Sequence, residues 1–386
     1  MRRAILVLAL LLAGPGTASA ATEITLDVSR AVPRFGTNVT FSGIVTVDGE
    51  PAARESVDLI LDAGSGWRVR GSVATGAKGR FAFVVGATVP GRYAAQTPSD
   101  SNPSAMVASA PVRLTLRPRL GGRIRGLNYP GGDLYLRGRL RPRTAGALTV
   151  RVGTHRWRVH VGYRGRFRIR LPTRRPGSFT AVMRMRPATG FRGLRRERDY
   201  RIRAPSLSLG SRGRAVLALE RRLRKLHFAI RGVNRYYGNA TYEAVLAFQK
   251  VHRMSRTGAV GLTFWREFGK AHIPRARIDR GTHIEVNKTK QVLFEVRRGE
   301  VARVIHVSTG ATGNTPVGRF RTYLKTPGLL PSGMYYSMFF IGAFAIHGYH
   351  SVPANPASHG CVRIPMWLAP GLYSRWPLGT RVRIYY

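Results

Sequence analysis

The sequence predicts a multidomain, mainly β protein with one small helical domain set between β-rich parts. Three observations predict it. The chain has 386 residues, too many for one ordinary core. Short apolar–polar alternations punctuated by glycine and proline fill residues 22–204 and return after Gly281, the rhythm of strands and turns. Between them, over 207–269, apolar residues recur instead at three- and four-residue steps, the period of a helix face. Hydrophobic residues make up 44% of the chain, which fits folded domains and excludes a disordered chain.

The first element is a sorting segment. Arg2 and Arg3 precede an apolar run from Ala4 to Ala13, Gly14 and Pro15 break it, and Ala18-Ser19-Ala20 ends it in small residues. The run is too short to span a bilayer, so residues 1–20 read as a cleaved signal peptide, with a retained anchor as the alternative. No cysteine follows the run, which excludes a lipoprotein of the usual kind, and no second segment is long enough to span. The expected location is secreted, at the cell wall, without stable membrane insertion after cleavage.

Residues 22–117 and 118–204 read as two β-sandwiches. Alternation is clear in Glu23-Ile24-Thr25-Leu26-Asp27-Val28 and near Val57-Asp58-Leu59-Ile60-Leu61. Gly79-Arg80-Phe81 and Pro90-Gly91-Arg92-Tyr93 recur 86 residues later as Gly165-Arg166-Phe167 and Pro176-Gly177-Ser178-Phe179, an internal repeat. Trp67-Arg68-Val69 has its counterpart in Trp157-Arg158-Val159. These corners resemble the immunoglobulin-like modules of exported bacterial proteins, which implies a spacer role. The two tryptophans read as core anchors rather than sugar-stacking platforms.

Ala204-Pro205-Ser206 marks a boundary, and Val216, Leu219, Leu223 and Leu226 then fall on one helix face. A second helix starts near Asn239, a residue suited to an N-cap, and carries Ala244, Val245 and Phe248. With Leu209-Gly210, Gly213, Thr241, Gln249, Gly258, Val260-Gly261 and Trp265, residues 207–269 resemble the three-helix peptidoglycan-binding domain. Glu220 and Thr257 depart from it, standing where glutamine and aspartate are usual. The resemblance implies glycan as a partner; the alternative is a helical linker that binds nothing.

The chemistry lies in residues 281–386. Cys361 is the one cysteine, so no intrachain disulfide can form. Ala345-Ile346-His347-Gly348 and Ser358-His359-Gly360-Cys361-Val362-Arg363 surround it in sequence. A thiol attacks an amide only as thiolate, so it needs a base that later protonates the leaving amine. His347 and His359 are the candidates; His359 lies two residues before the cysteine, which on a strand means the same face. Gly360 removes bulk beside the nucleophile, so backbone N–H groups can hold an oxyanion. Arg363 suits a substrate carboxylate.

This segment resembles the L,D-transpeptidase catalytic domain of the YkuD type. The resemblance adds Ser308-Thr309-Gly310, Thr315-Pro316-Val317-Gly318, Phe320, Met338, Gly379-Thr380 and Val382 to the residues above. It implies Cys361 as nucleophile, His347 as base, His359 and Gly360 as further catalytic groups, and oxyanion N–H groups from Gly360 and Cys361. Substrate binding is expected from Arg363, Ser358, Gly348 and Tyr349. The implied substrate is a peptidoglycan stem peptide, with no cofactor and no metal. Only ten residues separate His347 from Ser358, shorter than in many relatives. The chemistry is expected to lie wholly in the last hundred or so residues, so a chain starting near Gly281 should match the whole protein on a soluble substrate.

Rival readings are weaker. His347, His350, His359 and Cys361 have metal-like spacings, but residues 301–386 contain no carboxylate for a second shell. Sortases place histidine and arginine much farther from the cysteine, and papain-like peptidases place cysteine before histidine. Hydrolysis of the same acyl-enzyme, or a non-catalytic wall-binding protein, are the other outcomes. All but seven of the 64 basic residues are arginines and the net charge is +46. No arginine stripe coincides with a nucleic-acid motif, so the expected anionic partners are wall polymers, and a monomer is the default.

Overall fold

The computed structural model describes residues 21–386; the expected signal peptide lies outside the described residues. These are mainly β with four α-helices among them, and no helix is long and apolar enough to cross a membrane. The chain divides into two compact units. One takes the residues up to Gly122 with Arg137–Phe167 and Val182–Glu197; the other takes Arg123–Leu136, Arg168–Ala181 and Arg198–Tyr386. Residues 118–204, which the sequence reads as one module, are thus shared between them. The repeat records turn chemistry, and turn chemistry does not say which core a strand joins.

In the first unit, Asn38–Val47 carries Thr22–Ile24, Asp27–Val28, Glu50–Pro51 and Arg80–Gly86 in one sheet. A second sheet runs Val112–Leu114, Gly91–Pro98, Ser56–Asp62, Trp67–Ala74, with Met106–Ala108 beside Gly91–Pro98. Phe41, Val45 and Phe81 from the first and Leu59, Tyr93 and Leu114 from the second form one core. Phe41 stacks on Tyr93 with centroids 4.6 Å apart. The repeated Gly-x-Phe corner has a physical cause. Gly79 and Gly165 both have positive φ, +65° and +73°, and a Cβ would lie 2.5 Å from Val45 O and 2.0 Å from Leu140 O. Only glycine fits there.

The tryptophans are a correction. Trp67 is 43% exposed under the Arg92 guanidinium, and Trp157 is half-buried against His155. Each lies on the last strand of its sheet, Trp67–Ala74 and His155–Val159, where packing on one side is missing. Neither anchors a core.

In the second unit, α1 (Arg214–Lys225), α2 (Asn239–Val251) and α3 (Leu262–Lys270) precede the sheets. Val216, Leu219, Leu223 and Leu226 are buried as the helical period requires. Asn239 is the first helical residue rather than the cap; Gly238 holds that position, with no side-chain cap bond.

A five-stranded sheet follows, in the order Glu300–His306, Val292–Arg297, His283–Asn287, Arg381–Tyr385, Gly318–Arg321. It is buried on both faces. Val292, Phe294, Val296, Val301 and Val304 share a cluster with Val245 and Phe248 of α2 and Phe264 and Phe268 of α3. Ile284, Leu293 and Ile305 pack instead with Met338, Ile346, Val362 and Ile364, which belong to a four-stranded sheet. That sheet runs Leu324–Leu329, Tyr335–Ile341, Phe344–Tyr349, Val362–Pro365, and α4 (Ala369–Arg375) packs on it through Leu372. Sheets covered on both faces read as continuous apolar runs, as in Val292-Leu293-Phe294. The outer edge is paired too: Ala229 N donates to Val304 O and Val304 N to His227 O, each at 2.8 Å, which removes an open template for aggregation.

Candidate active site

Phe344–Tyr349 and Val362–Pro365 pair in parallel, with Ile346 opposite Val362 and His347 opposite Arg363. Ile346, Val362 and Ile364 enter the core, so strand alternation puts His347, Tyr349 and Arg363 on the other face. The contacts agree: the Arg363 guanidinium lies 4.1 Å from the Tyr349 ring centroid, and that ring meets His347 edge-on at 5.7 Å. Cys361, one residue before its strand, places Sγ 3.5 Å from Ala345 N and 3.7 Å from Ala343 O.

His347 is 2% exposed, and its Nδ1 lies 2.9 Å from Gly348 O. A carbonyl only accepts, so Nδ1 carries the hydrogen and the lone pair of the neutral ring sits on Nε2. Burial pulls the His347 pKa below the ordinary imidazole value; the Gly348 carbonyl opposes this and the Arg363 charge adds to it. Burial pushes the Cys361 thiol up, against the Ala345 N–H and Arg363. Both groups therefore rest neutral near pH 7. Among the described residues the hydrogen-bond partners of Cys361 Sγ are Ala345 N, Ala343 O and Met334 Sδ; His347 is not one of them.

A hydrogen-bonded turn presents the thiol. Ser358 Oγ donates to Cys361 O at 2.6 Å and accepts from Gly360 N at 3.1 Å. Thr315 Oγ1 donates to Gly360 O at 2.7 Å, and Asn314 Nδ2 donates to His359 O at 2.7 Å. Lys288 Nζ fixes that loop in turn through Gly313 O and Thr315 O. Gly360 has φ +131°, and a Cβ there would lie 2.0 Å from Phe344 Cε1, so this position requires glycine.

The structure brings together Cys361, His347, Arg363 and Tyr349 and separates the others from them. Ser358 is buried and spends its hydroxyl inside the turn. The Gly360 N–H is engaged by Ser358 Oγ, in competition with the expected oxyanion role. Gly348 lies on the packed face, where a Cβ would meet Ala369 Cβ at 2.8 Å; it frames the strand rather than lining a pocket. The His359 ring is exposed. Strand alternation does not apply to it, because residues 359–361 form a bend and the strand starts at Val362. Among the described residues His347, His350, His359 and Cys361 do not form a metal-binding group.

Sequence reasoning missed a second, buried layer. Lys250 of α2 is 2% exposed, and its Nζ donates to Val307 O at 2.9 Å, Gln291 O at 3.2 Å and His306 Nδ1 at 2.6 Å. His306 Nε2 donates to Val352 O at 2.7 Å. Burial pulls both Lys250 and His306 below their ordinary values, but three acceptors around one Nζ call for the three N–H of an ammonium, so the hydrogen bonds favour the charged Lys250 and the neutral His306. Arg256, just beyond α2, donates to Ala354 O at 3.1 Å, and Ser308 Oγ donates to Asn355 O at 2.7 Å. Val352, Ala354 and Asn355 lie in the segment joining His347 to Ser358. The helices therefore hold the segment that spans the site. A lysine among the apolar residues of α2 is the one signal the sequence offered.

Residues 281–384 match the L,D-transpeptidase catalytic domain model, and residues 212–267 match the peptidoglycan binding domain model. An L,D-transpeptidase from Xylanimonas cellulosilytica is 35% identical over 47% of this chain and 99% of that chain, with a TM-score of 0.46. One from Stackebrandtia nassauensis is 20% identical over 47% of this chain and 95% of its own, with a TM-score of 0.30. No curated protein matches the chain. By the two domain matches the chain carries a catalytic domain of the L,D-transpeptidase family over residues 281–384 and a peptidoglycan binding domain over residues 212–267.

Proposed function

We propose that the chain is a secreted peptidoglycan L,D-transpeptidase that forms 3→3 cross-links through a Cys361 thioester. His347 Nε2 takes the thiol proton as Sγ attacks the carbonyl of the third, diamino-acid residue of a tetrapeptide stem. The amide C–N bond breaks, and His347 returns the proton to the departing D-alanine nitrogen. The side-chain amine of a neighbouring stem then attacks the thioester, His347 takes its proton, and the thiol leaves reprotonated. No cofactor enters, because the thioester keeps the acyl group activated. Arg363 pairs with a stem carboxylate. Residues 207–269 anchor the enzyme to glycan, and the sandwich-like modules over 22–117 and 118–204 set its reach; the signal peptide over 1–20 exports it.

One observation supports this reading: His347 and Arg363 are partners across a parallel strand pair, the Arg363 charge acts on both His347 and Cys361, and His347 Nδ1 is bonded to Gly348 O so that Nε2 is the basic atom. The test is to incubate the chain beginning at Ala21 with a tetrapeptide muropeptide and weigh the products. A dimer lighter than two monomers by one alanine supports transfer, and a tripeptide alone supports an L,D-carboxypeptidase. No change supports a wall-binding protein without activity.

The acid limb of kcat/KM reports the base. His347 must be neutral to accept a proton, and its pKa lies below the ordinary value near 6.5. Activity is therefore expected to hold as pH falls through about 6.5 and to be lost only further down. A limb centred above that value would remove His347 from the role of base.

A further inference from the structure

In the first unit a cleft of about 570 Å³ is lined by Arg34, Arg117, Arg119, Arg192 and Arg196, and no aspartate or glutamate is among its lining residues. Its floor is a backbone ladder. Phe35 N donates to Arg117 O at 2.9 Å, Arg117 N to Pro33 O at 2.8 Å, and Arg192 N to Leu116 O at 2.9 Å. Arg34 and Arg117 are direct partners in that ladder, and like charges set opposite one another destabilise a sheet. Arginines nearby in sequence are neutralised, Arg92 by Asp62 and Arg195 by Glu197. Among the described residues none of the five cleft guanidiniums has a carboxylate partner.

A fixed backbone thus holds five cations around one concavity with nothing of opposite charge inside it. We propose that this cleft binds a phosphodiester polymer of the cell wall, a chain of singly charged phosphates, an assignment that rests on the reading of the protein as a wall enzyme. A guanidinium fork matches a phosphate with two parallel hydrogen bonds. A repeating polyanion engages several forks at once and relieves the repulsion between Arg34 and Arg117. Scattered arginines on a solvated surface offer no such convergence.

The test separates the cleft from bulk charge. A fluorescent glycerol-phosphate oligomer is titrated by anisotropy into the chain beginning at Ala21, into Arg119→Ala with Arg196→Ala, and into Arg151→Ala with Arg158→Ala. The last pair removes the same charge from exposed sites outside the cleft. Loss of two charge-assisted contacts is expected to weaken binding at least ten-fold, and the control by less than about two-fold. Equal losses in both variants overturn the site in favour of bulk charge. Equally tight binding of poly-L-glutamate overturns the phosphate assignment. Turnover of a soluble muropeptide is measured in parallel and is expected to be unchanged in both variants. An active enzyme that does not bind the oligomer sinks the cleft alone; selective cleft binding by a protein without turnover sinks the enzyme reading and leaves the site standing.

Discussion

Cys361→Ser is expected to fold as the parent does and to release no D-alanine from a tetrapeptide muropeptide. Serine keeps the size and the local contacts, so the turn built by Ser358, Gly360 and Thr315 is undisturbed. Nucleophilicity is what changes. A hydroxyl has no accessible anion near pH 7, and the neutral His347 is too weak a base to generate one without a group that stabilises the imidazolium. Turnover should fall by at least about 10⁴-fold, as when a nucleophile is removed from a working dyad or triad. The measurement is D-alanine release over hours, beside the thermal midpoint. Turnover near the parental rate would falsify the assignment of Cys361 as nucleophile.

A chain starting at Gly281 is expected to lose activity even on a small soluble substrate, by at least about 100-fold, the scale of effect that misplaced catalytic groups produce. This reverses the expectation drawn from the sequence. Val292, Phe294, Val296, Val301 and Val304 are each at most 3% exposed and share their cluster with α2 and α3. Uncovering a valine or phenylalanine costs roughly 1.5–3 kcal/mol, so five of them match the whole stability of a typical domain, about 5–15 kcal/mol. The same truncation removes Lys250 and Arg256, and with them the bonds that reach the segment between His347 and Ser358. Near-UV circular dichroism and D-alanine release, measured on both chains, decide the matter. Lys250→Met separates the two causes, because its stem still fills the site while Val307 O, Gln291 O and His306 Nδ1 lose their donor. That variant should remain folded yet destabilised by a few kcal/mol, since each buried group left unsatisfied costs about 1–3 kcal/mol. If the short chain turns over as fast as the long one, the helices are dispensable to the site.

The legible part of the site was the part written in consecutive residues. Ser358 to Arg363 announced the thiol, and Ala345 to Gly348 announced the histidine. What stayed hidden was made by residues far apart in the chain. Lys250 and His306, or Arg256 and Ala354, meet only after the helices close over the sheet, and no local period encodes that closure. His359 was misplaced because alternation was extended one bend too far. Gly348, which the resemblance offered for substrate binding, packs against Ala369, a contact that a match of motifs does not record. In the fold, strand rhythm located the β-rich stretches, while the sharing of residues 118–204 between two units depends on long-range packing that a repeat of turn residues does not record.

His347 is oriented by the oxygen of its own neighbour's peptide group. Many histidine bases are oriented by a carboxylate side chain, a part that a single substitution can delete and that inspection of a sequence can spot. Here the orienting atom is the same whatever residue follows the histidine. Alanine at position 348 would report the clash of its Cβ with Ala369 and say nothing of the oxygen, which stays in place under any side chain. Removing it takes a change of atoms rather than of residue, such as a thioamide in place of the Gly348 carbonyl introduced by chemical ligation. The most dependable member of the dyad's support is then one that mutation cannot reach.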